Sequence, residues 1–566
     1  MRRGRVVPLL VALLVAAGGV CALPASAAAD PYGPDPWLVR EAVPGAGLST
    51  VEGGVALGGR VVYSQRTPST GFELWVSDGT PAGTVVMDLN PGATGSAPRY
   101  FARAGNQVFF YAWLPGRGGE LWATDGTPAG TRLVKDIEPG PASSNPTGLV
   151  AAGNQVFFVA ETNTAGEEVW VSDGTAAGTV QVDDIYPGVT GSAPGELRAV
   201  GSRVAFHATD NTSGSEPWIS DGTPAGTVRM GNINPAGGSG THGFTLLGDA
   251  VLFSAEATPG NAELYRWPGT GPVSTLVKDI WPGPNGSSPN WLTALGGQVY
   301  FAAGVLPGLS VELWVSDGTS AGTHLVHDIN PGVAASGPRH LTIVGGILHL
   351  VAEGPEGWGL RAVTGPTTPT RLIRTLPAGT VFASTHDVQS VGGGLAFSVQ
   401  IGLTDTLWLS DGTAGGTRPL LGLVGPDVAV RTLGNVSGTV FFAAKHPTLG
   451  DELWAHTWRT SSVTVTARKK WSAKRARKKK IRVQVHATAS EGSVTLWAKG
   501  RGKHLSKKQK RLRQVGTGVL VNGMVTIRLT KKLKRGSYQV YAQYAASLHA
   551  QASTSSMRTI KVKVKR

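Results

Sequence analysis

Cysteine is nearly absent from this chain. Cys21 is the only one among 566 residues, and it lies in a segment expected to be cleaved. The mature protein is then left without a disulfide, a thiolate metal site or a cysteine nucleophile. Amphipathic helical periodicity of useful length is missing too. Beyond the first thirty residues no stretch approaches the roughly 20 apolar residues that cross a bilayer. There is no His-Glu-x-x-His and no phosphate-binding loop. Charged residues make up 16% of the chain, and they are unevenly placed.

The chain begins Met1-Arg2-Arg3-Gly4-Arg5, runs apolar from Val6 to Val20, and reaches Ala25-Ser26-Ala27-Ala28-Ala29-Asp30. A basic start, a short apolar centre and small residues before a polar chain make a secretory signal peptide over residues 1–29. Secretion, or attachment at the cell surface, is the expectation, with no membrane span after cleavage.

What the sequence has in abundance is glycine, 79 residues, and one repeated phrase. Glu73-Leu74-Trp75-Val76-Ser77-Asp78-Gly79-Thr80 recurs with its aromatic at Trp75, Trp122, Trp170, Trp218, Tyr265, Trp314, Trp408 and Trp454. The first five steps are 47, 48, 48, 47 and 49 residues. The 94 residues from Trp314 to Trp408 hold a disguised copy, Gly359 to Gly365, with Arg361 in the tryptophan place. A fixed period in this range means a solenoid, a propeller or an array.

Each unit reads as four short strands. Strand a ends in a Gly-Asn or Gly-Gly turn. Strand b is a run such as Val108-Phe109-Phe110. Strand c is Glu-Leu-Trp-Val, and strand d is a run such as Leu133-Val134-Lys135-Asp136-Ile137. Short β-branched and aromatic runs bounded by Gly, Asn, Asp and Pro are strand signals, and Asp-Gly suits tight turns. Four strands in about 47 residues make a propeller blade. Residues Trp37 to Gly45 resemble a strand d with nothing before it, and the unit ending at Trp454 has no strand d after it. If the first completes the last, the ring closes with about nine blades, above the usual four to eight. A smaller ring with a stray unit, or two part-rings, are the alternatives.

The repeat, over residues 30–458, resembles the bacterial ELWxxDGT-repeat proteins. That resemblance implies a secreted bacterial setting and no established activity. From residue 459 the composition changes. Residues 468–566 hold 28 Lys plus Arg and one acid, Glu491, for a net +27; the whole chain is +15, so residues 1–467 carry −12. Residues 459–480 read as a basic linker and first strand, and 481–566 as a basic β-sandwich of alternating runs with a hairpin at Asn522-Gly523. Ser493-Val494-Thr495-Leu496, Gly536-Ser537-Tyr538 and Tyr544 resemble bacterial immunoglobulin-like repeats. The fold class is therefore all-β: a propeller followed by an Ig-like sandwich.

The motif tryptophans are expected to pack between blades. Stacking on sugars is their functional alternative, but one copy per blade is what a packed ring needs, and each burial is worth on the order of 4–6 kcal/mol. For Asp78, Asp125, Asp173, Asp221, Asp317 and Asp411 the alternative is calcium. A calcium loop gathers several oxygen ligands, whereas each copy has one Asp, so a turn-closing role is expected and no cofactor. The row Asp88, Asp136, Asp184, Asp279 and Asp328 reads as solvated strand ends. His324 and His327 fall on opposite faces of a strand, against a shared metal. Lys478, Lys479, Lys480, Lys507, Lys508, Lys510, Arg511 and Arg513 are candidate polyanion contacts. An anionic envelope polymer fits a secreted protein better than nucleic acid. The loops between strand d and the next strand a differ between copies, and loops carry function on a fixed scaffold. A protein or glycan ligand on that face, held by a monomer, is expected. Near-uniform repeats favour binding over catalysis, which needs an asymmetric constellation; an extracellular polysaccharide hydrolase or lyase is the alternative.

Overall fold

The computed structural model describes residues 36–457, apart from 44–48, 307–308, 333, 382–387, 392–393, 403, 421–429 and 447–449, and the backbone of eight strands within 463–563. Residues 1–29, where a signal peptide is expected, fall outside the described residues.

Among the described residues, nine antiparallel sheets follow one another, each wound as a four-strand meander. Blade 1 runs a Thr50–Leu57, b Arg60–Thr67, c Gly71–Ser77 and d Val85–Met87. Blades 2 to 7 span 99–135, 147–181, 195–229, 242–278, 290–327 and 339–375. Blade 8 has its strand a in two pieces, Thr380–Val381 and Gln389–Val391, both paired to the same strand b. The strands a of successive blades lie side by side, so a is innermost and d outermost.

Blade 9 is composite. Its strands a, b and c are Val430–Val436, Thr439–His446 and Gly450–Thr457, and its strand d is Trp37–Arg40 from the start of the chain. Trp37 pairs with Ala455, Leu38 with Trp454 and Arg40 with Leu453. The ring therefore closes as the sequence pattern implies, and blade 9 has no bare edge toward its outer strand. Nine apolar clusters fill the nine blade-to-blade interfaces, including one that joins Val39, Leu433 and Phe441 of blade 9 to Val51, Tyr63 and Trp75 of blade 1.

The closing interface also repeats a bolt found elsewhere. Lys135 on strand d of blade 2 donates to Thr179 O of blade 3 at 2.8 Å, and Lys278 of blade 5 to Thr323 O of blade 6 at 2.7 Å. Arg40 reaches Thr84 O at 2.6 Å in the same way. Cations at this place also lie over motif rings, Arg40 5.7 Å from Trp75 and Lys135 5.6 Å from Trp170.

In the basic region the described strands form a three-stranded and a five-stranded sheet. Asn522-Gly523, where a hairpin is expected, lie outside the described residues. Arg513–Leu520 pairs with Gly492–Arg501, while Met524–Arg528 pairs with Arg482–Ala487 of the other sheet. The strand Gly492–Arg501 runs on through Lys499. Of the candidate polyanion contacts, Arg513 opens a strand and the rest lie outside the described residues.

If the closing strand carries the ring, Val39→Asp should destabilise as severely as Val134→Asp inside blade 2. Each leaves an unpaired charge at a buried site, on the order of 3–5 kcal/mol. Calorimetry that finds Val39→Asp as stable as the native protein contradicts closure.

Candidate binding face around the central channel

The motif residues build the frame. Trp75, Trp122, Trp170, Trp218, Trp314, Trp408 and Trp454 each sit in the cluster shared with the preceding blade, as does Tyr265. Arg361, in the same place in blade 7, is buried, ion-paired to Glu356 and within 3.4 Å of Thr370 Oγ1.

The motif aspartates close turns. Asp78 Oδ1 accepts from Thr80 N at 2.9 Å and Thr80 Oγ1 at 2.7 Å. Thr80 Oγ1 in turn accepts from Gly83 N, and the Ser77 and Thr84 hydroxyls meet at 2.7 Å. Asp125, Asp173, Asp221 and Asp317 repeat the pattern, and Asp411 keeps the Thr413 N bond. Hydrogen bonds from the threonine hold Asp78, Asp125, Asp173 and Asp317 below the ordinary carboxylate range. Asp411 differs, pushed up to about 7 by burial. Position 83 is glycine because a Cβ there would lie 2.1 Å from Asp78 Oδ1. The spelling Gly-Thr-Ser-Ala-Gly at 318–322 is one copy of this turn. It joins two antiparallel strands, so it is no strand-to-helix nucleophile elbow.

Sequence reasoning missed the first residue of the motif. Glu120, fully buried, accepts from Ser144 Oγ at 2.6 Å, Ser144 N at 3.0 Å and Ile137 N at 2.9 Å. Glu73, Glu168, Glu263 and Glu312 hold Ser96, Ser192, Ser287 and Ser336 alike, each through a 2.6 Å hydroxyl bond, and Glu216 takes Ile233 N and Asn234 N. The serine carbonyl accepts from strand b of the blade that follows, as in Trp113 N to Ser96 O at 2.8 Å. So the loop from d to a is clamped against the b–c hairpin, and the two share one face. In blade 9, Glu452 accepts from Ser49 Oγ at 2.6 Å, Gln65 Nε2 at 2.9 Å and Ala42 N at 3.2 Å, all from the first segment of the chain. The signal was available: a serine 23 or 24 residues after the motif glutamate. Gly359 and Thr406 stand in the glutamate place in blades 7 and 8.

On this clamped face, in blades 1 to 7, one residue near the start of strand a bulges into the left-handed region. It is Gly53, Gly148 and Gly243 in blades 1, 3 and 5, at φ +49°, +61° and +74°. In blades 2, 4, 6 and 7 it is Tyr100, Glu196, Trp291 and His340, at +59°, +54°, +58° and +56°. A Cβ on Gly148 would meet nothing within 4 Å, so the site is sterically open and the strain is in the backbone alone. Tyr100 is 47% exposed and Trp291 37%, although both are large and aromatic. Arg99 lies 5.5 Å from the Tyr100 ring and 4.1 Å from Tyr111. Trp291 rests on buried His340, centroids 4.7 Å apart, and neighbouring Arg339 lies 4.8 Å from the Trp358 ring.

One blade breaks the repeat with titratable groups. In blade 4, His207 Nδ1 is 3.1 Å from Ser215 Oγ, and the Glu196 charge acts on the same imidazole. Burial nonetheless holds His207 below the ordinary histidine range. His324 and His327 do not combine: His327 Nδ1 meets Thr370 Oγ1 at 2.9 Å, across the interface with blade 7. Among the described residues no three His, Cys, Asp or Glu side chains come together to hold a metal.

No protein-family description matches this chain, and no curated protein sequence is similar to it. Among solved structures, the β-propeller domain of the Trilobed protease from Pyrococcus furiosus is 12% identical over 56% of this chain and 96% of that domain, with a TM-score of 0.32. The acylaminoacyl peptidase of Pyrococcus horikoshii is 12% identical over 64% of this chain and 57% of its own, at 0.31. Prolyl oligopeptidase B from Galerina marginata is 10% identical over 59% and 53%, at 0.36. The chain spans little more than half the length of these two peptidases. The likeness concerns fold alone.

The clamps make stability depend on pH. Burial pushes Glu168 from an ordinary 4.5 up to about 7, against the pull of its hydrogen bonds. A raised folded value gives stability that is complete below pH 4.5 and lost as pH rises through 7, roughly 3 kcal/mol across the window. His207, His327 and His349, whose values are lowered, act with the opposite sign. Glu168→Gln should be less stable overall, since an amide offers one acceptor oxygen to these donors. Its melting temperature should also fall less than the native one between pH 5 and 8; equal slopes in calorimetry contradict the assignment.

Proposed function

We propose that this is a secreted, non-catalytic binding protein that resembles the ELWxxDGT-repeat group, with its ligand held at the channel mouth on the clamped face. The observation that carries this reading is the strained ring of side chains on strands a. A non-glycine residue in the left-handed region costs about 1–2 kcal/mol. Three blades avoid that cost with glycine, while blades 2 and 6 keep an exposed Tyr100 and Trp291 there. Each ring leaves a third or more of its surface open to solvent on a strained backbone, and such strain is found where function needs it. The rigid frame supports the same reading, because a side chain displayed from fixed backbone binds with little ordering cost.

The basic C-terminal region, similar to bacterial immunoglobulin-like repeats, would hold the protein at an anionic envelope polymer rather than at nucleic acid, as a monomer. The Ser215–His207 contact does not favour hydrolysis of extracellular polysaccharide, the alternative reading, because glycosidic bonds are cleaved between a pair of carboxylates.

Tyr100→Gly and Trp291→Gly should melt near the native temperature, because relieved backbone strain offsets the lost ring contacts, yet lose most retention on bacterial cell envelopes at high salt. Retention of both variants at native level contradicts the assignment of the face. At low salt the full-length protein should pellet with cell walls through its basic region and release in part as salt rises; pelleting indifferent to salt contradicts the electrostatic role.

A further inference from the structure

We infer that the mouth ligand is a saccharide chain, and that Trp291 is the platform on which a pyranose ring stacks, with Tyr100 a second platform on the far side of the ring. This rests on the proposed binding face and names its ligand class. The geometry narrows the choice. An extended peptide would add to the innermost strands through their free carbonyls, yet these are laced blade to blade. Thr245 Oγ1 donates to Leu292 O at 3.1 Å, Thr293 to Leu341 O at 3.2 Å and Thr342 to Val388 O at 3.1 Å.

A polyanion would need unengaged cations. Arg99 is stacked between Tyr100 and Tyr111, Arg339 lies over Trp358, and Arg431 is paired with Asp451 at 2.8 Å and bonded to Val51 O. Glu52 and Glu196, both exposed, add negative charge to the same rim. What the rim does offer is flat aromatic surface with polar groups beside it. Trp291 is fixed from behind by His340 and is partly open to solvent. Next to it, exposed Asn290 uses its Oδ1 to accept from Trp291 N at 2.7 Å, which keeps the amide NH2 as a donor. An aromatic face takes the C–H face of a sugar, while the Asn290 amide at its edge meets ring hydroxyls. The flat ring brings little conformational entropy to lose.

The test is titration calorimetry on the mature full chain with a panel of defined oligosaccharides: neutral hexose, N-acetylated amino-sugar and uronic acid chains of four or more units. At least one class should bind. Trp291→Gly should weaken that binding tenfold or more, Trp291→Tyr should recover much of it, and Trp291→Leu should not, because an aliphatic side chain at the same strained position lacks a stacking face. Retention on cell envelopes that depends on Trp291, with no oligosaccharide bound, overturns the saccharide assignment and leaves the face as a binding site. Retention indifferent to Trp291 overturns both. Binding that Trp291→Leu preserves as well as Trp291→Tyr overturns stacking.

Discussion

A buried carboxylate surrounded by donors is the interaction on which this structure depends. Each blade that keeps the motif glutamate places it inside strand c with almost no exposure, and surrounds it with backbone N–H groups and side-chain donors. A carboxylate in such a place is tolerable only when its oxygens are satisfied. The groups that satisfy Glu120 come from strand d and from the loop leading to the next blade, so satisfying the charge fixes the loop. Because the partners lie on the path from one blade to the next, the same bond sets how successive blades follow one another.

In blade 9 the arrangement acquires a long reach. Glu452 and Ser49 are 403 residues apart, where Glu120 and Ser144 are 24 apart. The local clamp of the inner blades thus becomes the fastener of the ring. Strand Trp37–Arg40 supplies the missing ladder, and Arg40 supplies the cation that elsewhere comes from Lys135 or Lys278. Apolar packing between Val39, Phe441 and Trp75 completes the joint with the same kind of cluster as every other interface. A frame this regular leaves little freedom at the channel mouth, so differences among Gly148, Glu196 and Trp291 are differences in side chain alone.

Much of the frame was legible in the sequence because it repeats. The tryptophan period placed eight copies, and Arg361 filled the remaining gap once the spacing was known. The stray strand at Trp37 implied closure because an unpaired strand d at one end matched a missing one at the other. The role of the glutamate was hidden by a sound prior: charged residues are seldom buried. Its serine partner lay in loops that look variable around a constant residue. The mouth was hidden for a different reason. Tyr100 and Trp291 read as ordinary aromatic strand residues, and only the bulge, invisible in a period-two pattern, turns them outward.

Amide hydrogen exchange on residues 37–42 tests the central claim most directly. If Glu452 and strand c of blade 9 hold this segment, its amides should exchange as slowly as those of 132–137, the equivalent strand of blade 2, and should open together with Gly450–Thr457. Exchange of 37–42 at the rate of a free peptide, with blade 2 still protected, would show that the ring is not closed by the start of the chain.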